Sequence, residues 1–238
     1  MGARFARRLL TIKNELGGTV NDVVLTVVAR SLRRHMLRRG EDIEGLELKA
    51  FIPVSVRPDD QRGSEQLGNQ VAGMIATLPV GCGDPETCLA TITASTSGLK
   101  DSGQAVGTTA LTDLTGFAPP AVINQASRLI TRQRFINLVV TNVPGPQFEL
   151  RFAGRELTDI FPMVPLGRNL AFGVAIVSYN GTMNFGLVGD FNVMPDLDDL
   201  AGDFTESIQE LRQTAGLETR KRATRNGGPT RRPAPAPA

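Results

Sequence analysis

Two apolar runs meet at Asn180-Gly181, and that dipeptide restricts the possible folds of the 238-residue chain more than any other feature. A two-residue hairpin loop in the type I′ conformation needs positive φ at both positions, which Asn-Gly tolerates best. Ala171 to Tyr179 and Thr182 to Asp190 are therefore expected as antiparallel partners. Counting outward from the turn pairs Ile176 with Phe185 and Val174 with Leu187 on one face. Ala171, Gly173, Ala175 and Gly186 fall on the other, so one face is bulky and the other nearly bare. A bare face admits close approach by a packed helix or by an elongated apolar ligand, and the sequence leaves both open.

The rest of the chain reads as alternating strands and helices. Phe135 to Thr141 is a β-branched, apolar strand. It must end at Asn142-Val143-Pro144-Gly145-Pro146, because two prolines lack the donors a ladder requires. Short extended pieces are expected over 150–153 and 155–164, around Gly154. Pro195-Asp196 opens a helix whose Leu197, Leu200, Phe204, Ile208 and Leu211 form an apolar stripe, with Asp198, Asp199 and Asp203 near its positive end. Upstream, Thr19 followed by Asp22 is a capping box. The helix it starts carries Val20, Val24, Val27, Val28, Leu32 and Met36 at helical spacing and stops at Gly40. Leu48 to Val56 and Gly68 to Pro79 read as strands and sheet neighbours. Asp84-Pro85-Glu86 starts a helix expected to reach Ser102, and a weaker helical region fills 104–132. The expected fold is α/β, a two-layer mixed sheet with helices packed on it, formed by residues 1–217. After Gly216 the composition changes to arginines and a Pro-Ala alternation, so 218–238 is expected to be a disordered basic tail.

The net charge of +2 hides a segregation. Residues 1–40 hold nine Lys/Arg against two acids, 41–217 eleven against twenty-one, and 218–238 six against one. Basic ends can meet a nucleic acid, an anionic membrane or an acyl-CoA. Aromatics make up 5% of the chain and none interleaves with the tail's arginines, so base stacking has no support and no nucleic-acid partner is expected. No apolar run is long enough to span a bilayer and no signal peptide is evident, which predicts a cytoplasmic protein. Cys82 and Cys88 are spaced neither as a disulfide framework nor as a zinc motif, and no metal is expected.

Chemistry is scarce. Dinucleotide, phosphate-loop and Gly-x-Ser-x-Gly patterns are absent. The single histidine, His35, falls in the last turn of the helix that begins after Thr19, where a solvent-facing or carbonyl-bonded role is expected.

Several segments occur in a telling order: Gly17-Gly18-Thr19-Val20-Asn21-Asp22-Val23-Val24, Ile52-Pro53-Val54-Ser55-Val56-Arg57, Thr141-Asn142-Val143-Pro144-Gly145-Pro146, Pro165-Leu166-Gly167-Arg168-Asn169, Ser178-Tyr179-Asn180-Gly181 and Asn184-Phe185-Gly186-Leu187. Over roughly residues 17–213 the chain resembles the carboxy-terminal half of the bacterial wax ester synthase/diacylglycerol acyltransferase family. The resemblance implies one lobe of a chloramphenicol acetyltransferase-like fold. It also implies transfer of a long-chain acyl group from acyl-CoA, a substrate rather than a cofactor, to diacylglycerol or a fatty alcohol. The family's His-His-x-x-x-Asp-Gly base motif is absent from this sequence, so the resemblance implies no catalytic residue here, a separate amino-terminal catalytic half as partner, and inactivity alone. The alternative is a non-catalytic lipid-binding or interaction module. Asn21 and Asp22 match the family's Asn-Asp pair; their sequence reading is helix capping, a structural role with a secondary part in shaping the site. Asn142 and Gly145 belong to the turn after a central strand, and together with Gly173, Ala175 and Gly186 are candidates for substrate contact. Arg168 is assigned no role. Attachment at the inner membrane or at lipid bodies is a further expectation.

Overall fold

The computed structural model describes residues 5–55, 71–101, 136–167 and 169–217. The helical region expected over 104–132, Arg168 and the basic tail lie outside these residues.

Eleven elements are present among them: α1 (Phe5–Leu16), α2 (Val20–Arg38), β1 (Leu48–Ser55), β2 (Val71–Leu78), α3 (Pro85–Asp101), β3 (Leu138–Pro144), β4 (Arg151–Phe152), β5 (Arg155–Glu156), β6 (Phe172–Tyr179), β7 (Thr182–Gly189) and α4 (Leu197–Thr214). Five strands form a mixed sheet in the order β2-β1-β3-β6-β7. The central pairs β1–β3 and β3–β6 are parallel, and the two outer pairs are antiparallel. The hairpin register is the one Asn180-Gly181 dictates, with Ile176 opposite Phe185 and Val174 opposite Leu187. Both turn residues have positive φ, 43° and 74°.

Ala50, Ile52, Leu138, Val140, Val174 and Ile176 share one buried face of this sheet. They join a single core with Leu9 and Ile12 of α1, the valines of α2, Ile92 of α3, and Leu200, Phe204, Ile208 and Leu211 of α4. Burying this apolar surface supplies the main driving force for the fold. A polar clamp adds specificity at the helix layer. Arg30 of α2, nearly buried, donates from Nε and Nη2 to both carboxylate oxygens of Glu210 on α4, and from Nη1 to the carbonyls of Cys82 and Gly83.

The opposite face of β6 and β7 is bare, as the glycine pattern predicts, but its cover is neither a helix nor an open channel. An extended strap, residues 157–166, lies across it. A Cβ at Gly186 would overlap the carbonyl of Pro162, and one at Gly173 would stand 2.7 Å from Val164 Cγ1. Asn184, fully buried on the same face, donates from Nδ2 to the carbonyl of Ile160 at 2.9 Å. Gly173 and Gly186, expected as candidates for substrate contact, thus pack against the strap, and Ala175 beside them is buried. Extended backbone fits a glycine-lined face as well as a helix does, and needs no sequence periodicity of its own.

The strap is tied at its start by Tyr179. Its hydroxyl donates to the carbonyl of Leu157 at 2.7 Å and accepts from the amide of Leu150 at 2.8 Å. The β4–β5 ribbon, turning at Ala153-Gly154, projects beyond this anchor with every residue from Arg151 to Glu156 exposed.

Candidate functional site

The parallel strands β3 and β6 end side by side, with Pro144 opposite Ser178, and the first turn of α2 stands over those ends. Crevices outside the carboxyl ends of strands are the usual ligand sites of open α/β sheets. Here the crevice is a cleft of about 630 Å³. Its apolar lining is Leu10 of α1, Val20, Pro144 and Met183, and its polar groups come from Asn21, Asn142, Gln147 and Ser178.

Asn21 and Asn142, 121 residues apart in sequence, meet in this cleft. Asn142 Nδ2 donates to Asn21 Oδ1 at 2.7 Å. Each amide spends one group on the other, leaving the Asn21 amino group and the Asn142 carbonyl oxygen for a ligand. Together they offer one donor and one acceptor, which is what a hydroxyl requires.

Asp22 is built for fixity. It is buried, and one carboxylate oxygen accepts from both the amide and the hydroxyl of Thr19 at 2.8 Å. Its amide in turn donates to Thr19 Oγ1, completing the capping box expected from the sequence. The other oxygen accepts from Thr96 Oγ1 on α3 at 2.7 Å. Gly145 is likewise consumed by structure. Its amide donates to Ser178 Oγ at 3.2 Å, and a Cβ there would overlap the Ser178 carbonyl, so it is a close-approach turn residue. Gln147 closes the turn, donating from Nε2 to Ser178 Oγ and accepting the Gly181 amide.

Of the residues expected from the sequence the cleft brings together Asn21 and Asn142, and its lining adds Leu10, Gln147, Ser178 and Met183, which the sequence did not point to. The Asn-Gly register places Ser178 opposite Met183, which was available as a signal. The β3–β6 pairing that brings Pro144 beside Ser178 leaves no mark in local sequence.

His35 departs from expectation. It is neither solvent-facing nor bonded to a carbonyl through its ring; it is buried between α2 and α4, with Nε2 3.5 Å from Asp196 Oδ2 and Nδ1 3.8 Å from Asp203 Oδ2. Asp196 stands at the N-cap position of α4 without capping it, because its carboxylate turns to His35 and Arg39. Burial pushes the Asp203 carboxyl above its ordinary range, against the opposing pull of its hydrogen bond and ion pair with Arg38 and of His35. His35 lies fourteen residues along α2 from Asn21, about 21 Å at the helical rise of 1.5 Å per residue, far from the cleft. Among the described residues no cluster of three or more His, Cys, Asp or Glu could hold a metal ion, and no helix is long and apolar enough to cross a membrane.

Comparison with known proteins identifies a family. The WS/DGAT C-terminal domain covers residues 67–212. A putative diacylglycerol O-acyltransferase of Mycobacterium tuberculosis is 34% identical over 210 residues, which are 86% of this chain and 41% of that protein. A probable diacylglycerol O-acyltransferase of the same organism is 30% identical over 212 residues, 88% of this chain and 45% of that one. The wax ester synthase/diacylglycerol acyltransferase from Marinobacter aquaeolei VT8 superposes with a TM-score of 0.67 at 27% identity, over 89% of this chain and 47% of that chain. The epimerization domain from the third module of tyrocidine synthetase B superposes with a TM-score of 0.56 at 10% identity over 90% of this chain and 46% of its own, a likeness of fold alone. The chain spans less than half the length of the relatives it matches. By the extent of the domain match, the chain belongs to the WS/DGAT C-terminal domain family.

Proposed function

We propose that this chain is the acceptor-binding lobe of an O-acyltransferase that moves a long-chain acyl group from acyl-CoA to diacylglycerol or a fatty alcohol. The observation that carries the reading is the Asn21–Asn142 pair inside an apolar cleft. An acceptor of this class has a hydroxyl on an alkyl body. The amide pair supplies the complementary donor and acceptor, and Leu10, Val20, Pro144 and Met183 supply apolar contact. Acyl transfer also needs a base to take the hydroxyl proton as the oxygen attacks the thioester carbonyl, with the thiol of CoA leaving. His35 cannot reach the cleft, so the base belongs to a histidine of an amino-terminal half that this sequence does not contain. Substrates this apolar place the working enzyme at the cytoplasmic face of a membrane or at a lipid body.

The test is direct. Pure chain supplied with acyl-CoA and either 1-decanol or diacylglycerol is expected to show no transfer, since loss of a general base slows such steps about 100- to 10,000-fold. Decanol alone is expected to shift the nuclear resonances of Asn142 and Met183. Turnover that survives His35→Ala would overturn the division of labour, and a decanol titration that leaves both residues unmoved would overturn the acceptor assignment.

A further inference from the structure

We infer that Thr96 is a positioning residue for the cleft: its hydroxyl, acting through the Asp22 carboxylate, sets the first turn of α2 and so aims Asn21 at Asn142 and at the acceptor hydroxyl. The inference rests on the acceptor reading above and extends it to a side chain on α3 that does not line the cleft.

The geometry runs as a chain of short bonds. Thr96, almost fully buried, donates to Asp22 Oδ1 at 2.7 Å. The carbonyl of Thr93 lies 3.2 Å from the same hydroxyl, but one proton serves one strong bond, and the nearer, charged acceptor takes it. Asp22 Oδ2 then holds Thr19 by its amide and hydroxyl, which fixes the residue before the helix. Asn21 sits between these two anchors, at the second helical position, and its side chain reaches Asn142. Backbone packing reinforces the seat. Gly18, at φ +76°, approaches α3 so closely that a Cβ would lie 2.9 Å from Thr93 Oγ1. The α1–α2 corner therefore rests on one turn of α3, and Thr96 is the only hydroxyl of that turn that binds the Asp22 carboxylate among the described residues.

A capping box needs only Thr19 and Asp22. The third donor is surplus to helix capping. Its effect is to remove the remaining freedom of the carboxylate, and hence of the turn that carries Asn21. Side chains that engage a reacting group must be held by neighbours whose own rotamers are locked, and Thr96 does this for Asn21 at one remove.

The experiment compares Thr96→Val, which keeps the shape and removes the hydroxyl, with Thr96→Ser, which keeps the hydroxyl. Thr91→Val, one exposed residue further up α3, is the control for loss of a helix threonine. Two quantities are read on the pure chain: the side-chain amide resonances of Asn21 and Asn142, assigned by their loss in Asn21→Asp and Asn142→Asp, and the affinity for 1-decanol. Thr96→Val is expected to shift both amide pairs and to weaken decanol binding roughly ten-fold, the loss that follows when one neutral hydrogen bond is misaimed. Thr96→Ser and Thr91→Val are expected to match the wild type in both. A merely structural threonine would lower the melting midpoint in Thr96→Val while leaving the amide resonances in place, and that result overturns the inference. So does Thr96→Ser behaving like Thr96→Val. If the wild-type chain fails to bind decanol, the acceptor reading falls, and the amide comparison still decides whether Thr96 aims Asn21.

Discussion

Arg30 and Glu210 offer a quantitative check on the helix layer, because the same ion pair predicts different costs for its two halves. Glu210→Gln preserves shape but only one acceptor: of the bonds at 2.6 and 3.1 Å one survives without the carboxylate charge, and the other is lost because the amide nitrogen cannot accept from the guanidinium. Charged hydrogen bonds contribute about 1.5–3 kcal/mol and neutral ones about 0.5–1.5 kcal/mol, and Glu210 keeps a quarter of its side-chain surface in solvent, so a loss of about 1 kcal/mol is expected. For a domain of this size that lowers the midpoint by about 2–4 °C. Arg30→Met does more damage. It strands the carbonyls of Cys82 and Gly83 and leaves the Glu210 carboxylate with Arg34 alone, at 3.2 Å. Breaking a buried pair from one side costs about 3 kcal/mol or more, or roughly 6–12 °C.

The same pair fixes the sign of a pH dependence. Burial alone raises the Glu210 carboxyl, yet the hydrogen bond and charge of Arg30, with Arg34 behind them, outweigh it and hold the group below its ordinary range. A carboxyl depressed in the folded state contributes stability that is present above its unfolded value of 4.5 and is lost as pH falls through the folded value. Urea unfolding of wild type and Glu210→Gln at neutral pH and at about pH 3 is the assay. The gap between them should narrow as pH falls below 4.5. A gap unchanged in acid, or a Gln variant as damaged as Arg30→Met, would refute the account of this clamp.

Three further outcomes are expected. Tyr179→Phe removes the hydroxyl bonds to Leu150 and to Leu157 at the start of the strap, so the Leu150 amide should lose hydrogen-exchange protection and stability should fall by about 1–2 kcal/mol, with little change in the exchange of β1 and β2 amides. Burial pushes the Cys88 thiol up to about 12 while Cys82 is half-buried, so a thiol reagent at mildly alkaline pH should titrate one group in the native chain and two after unfolding. Deletion of residues 218–238 removes six basic residues and one acid, and should leave the thermal midpoint in place while weakening attachment to anionic vesicles at low salt, each basic residue near such a surface contributing about 1 kcal/mol.

The elements legible in the sequence are those whose signals are local. Asn180-Gly181 fixed the β6–β7 register because turn chemistry and side-chain alternation act over a few residues. Thr19-Asp22 and Asp84-Pro85 marked helix starts for the same reason, and at Asp84 the carboxylate does accept the Thr87 amide at 2.8 Å. Asp196 carries a similar local signal, yet its carboxylate leaves its own helix for α2. That choice depends on the α2–α4 packing, which joins residues some 160 positions apart and has no local trace. The bare face of β6 and β7 was visible as a run of small residues, while its cover was invisible, since the strap is held by backbone carbonyls and by Asn184 rather than by any periodic pattern.

The site was half legible for a related reason, and Asp22 shows where the limit lies. From sequence, a helix-capping role and a site-shaping role compete for that residue. In the structure its two carboxylate oxygens divide the work, one capping the helix through Thr19 and the other reaching α3 through Thr96. The capping bond is local and readable; the bond to Thr96 spans 74 positions and is not. Asn21 and Asn142 are separated further still, and neither side chain alone has any chemistry beyond that of an amide. Their meeting creates the donor–acceptor pair, and it requires β3 to end at the prolines, α2 to start at Thr19, and both to lie on the same side of the sheet. On the acceptor reading, this lobe depends on where two ordinary amides are placed, and changes to Thr96 or Asp22 should disturb the cleft without touching its lining.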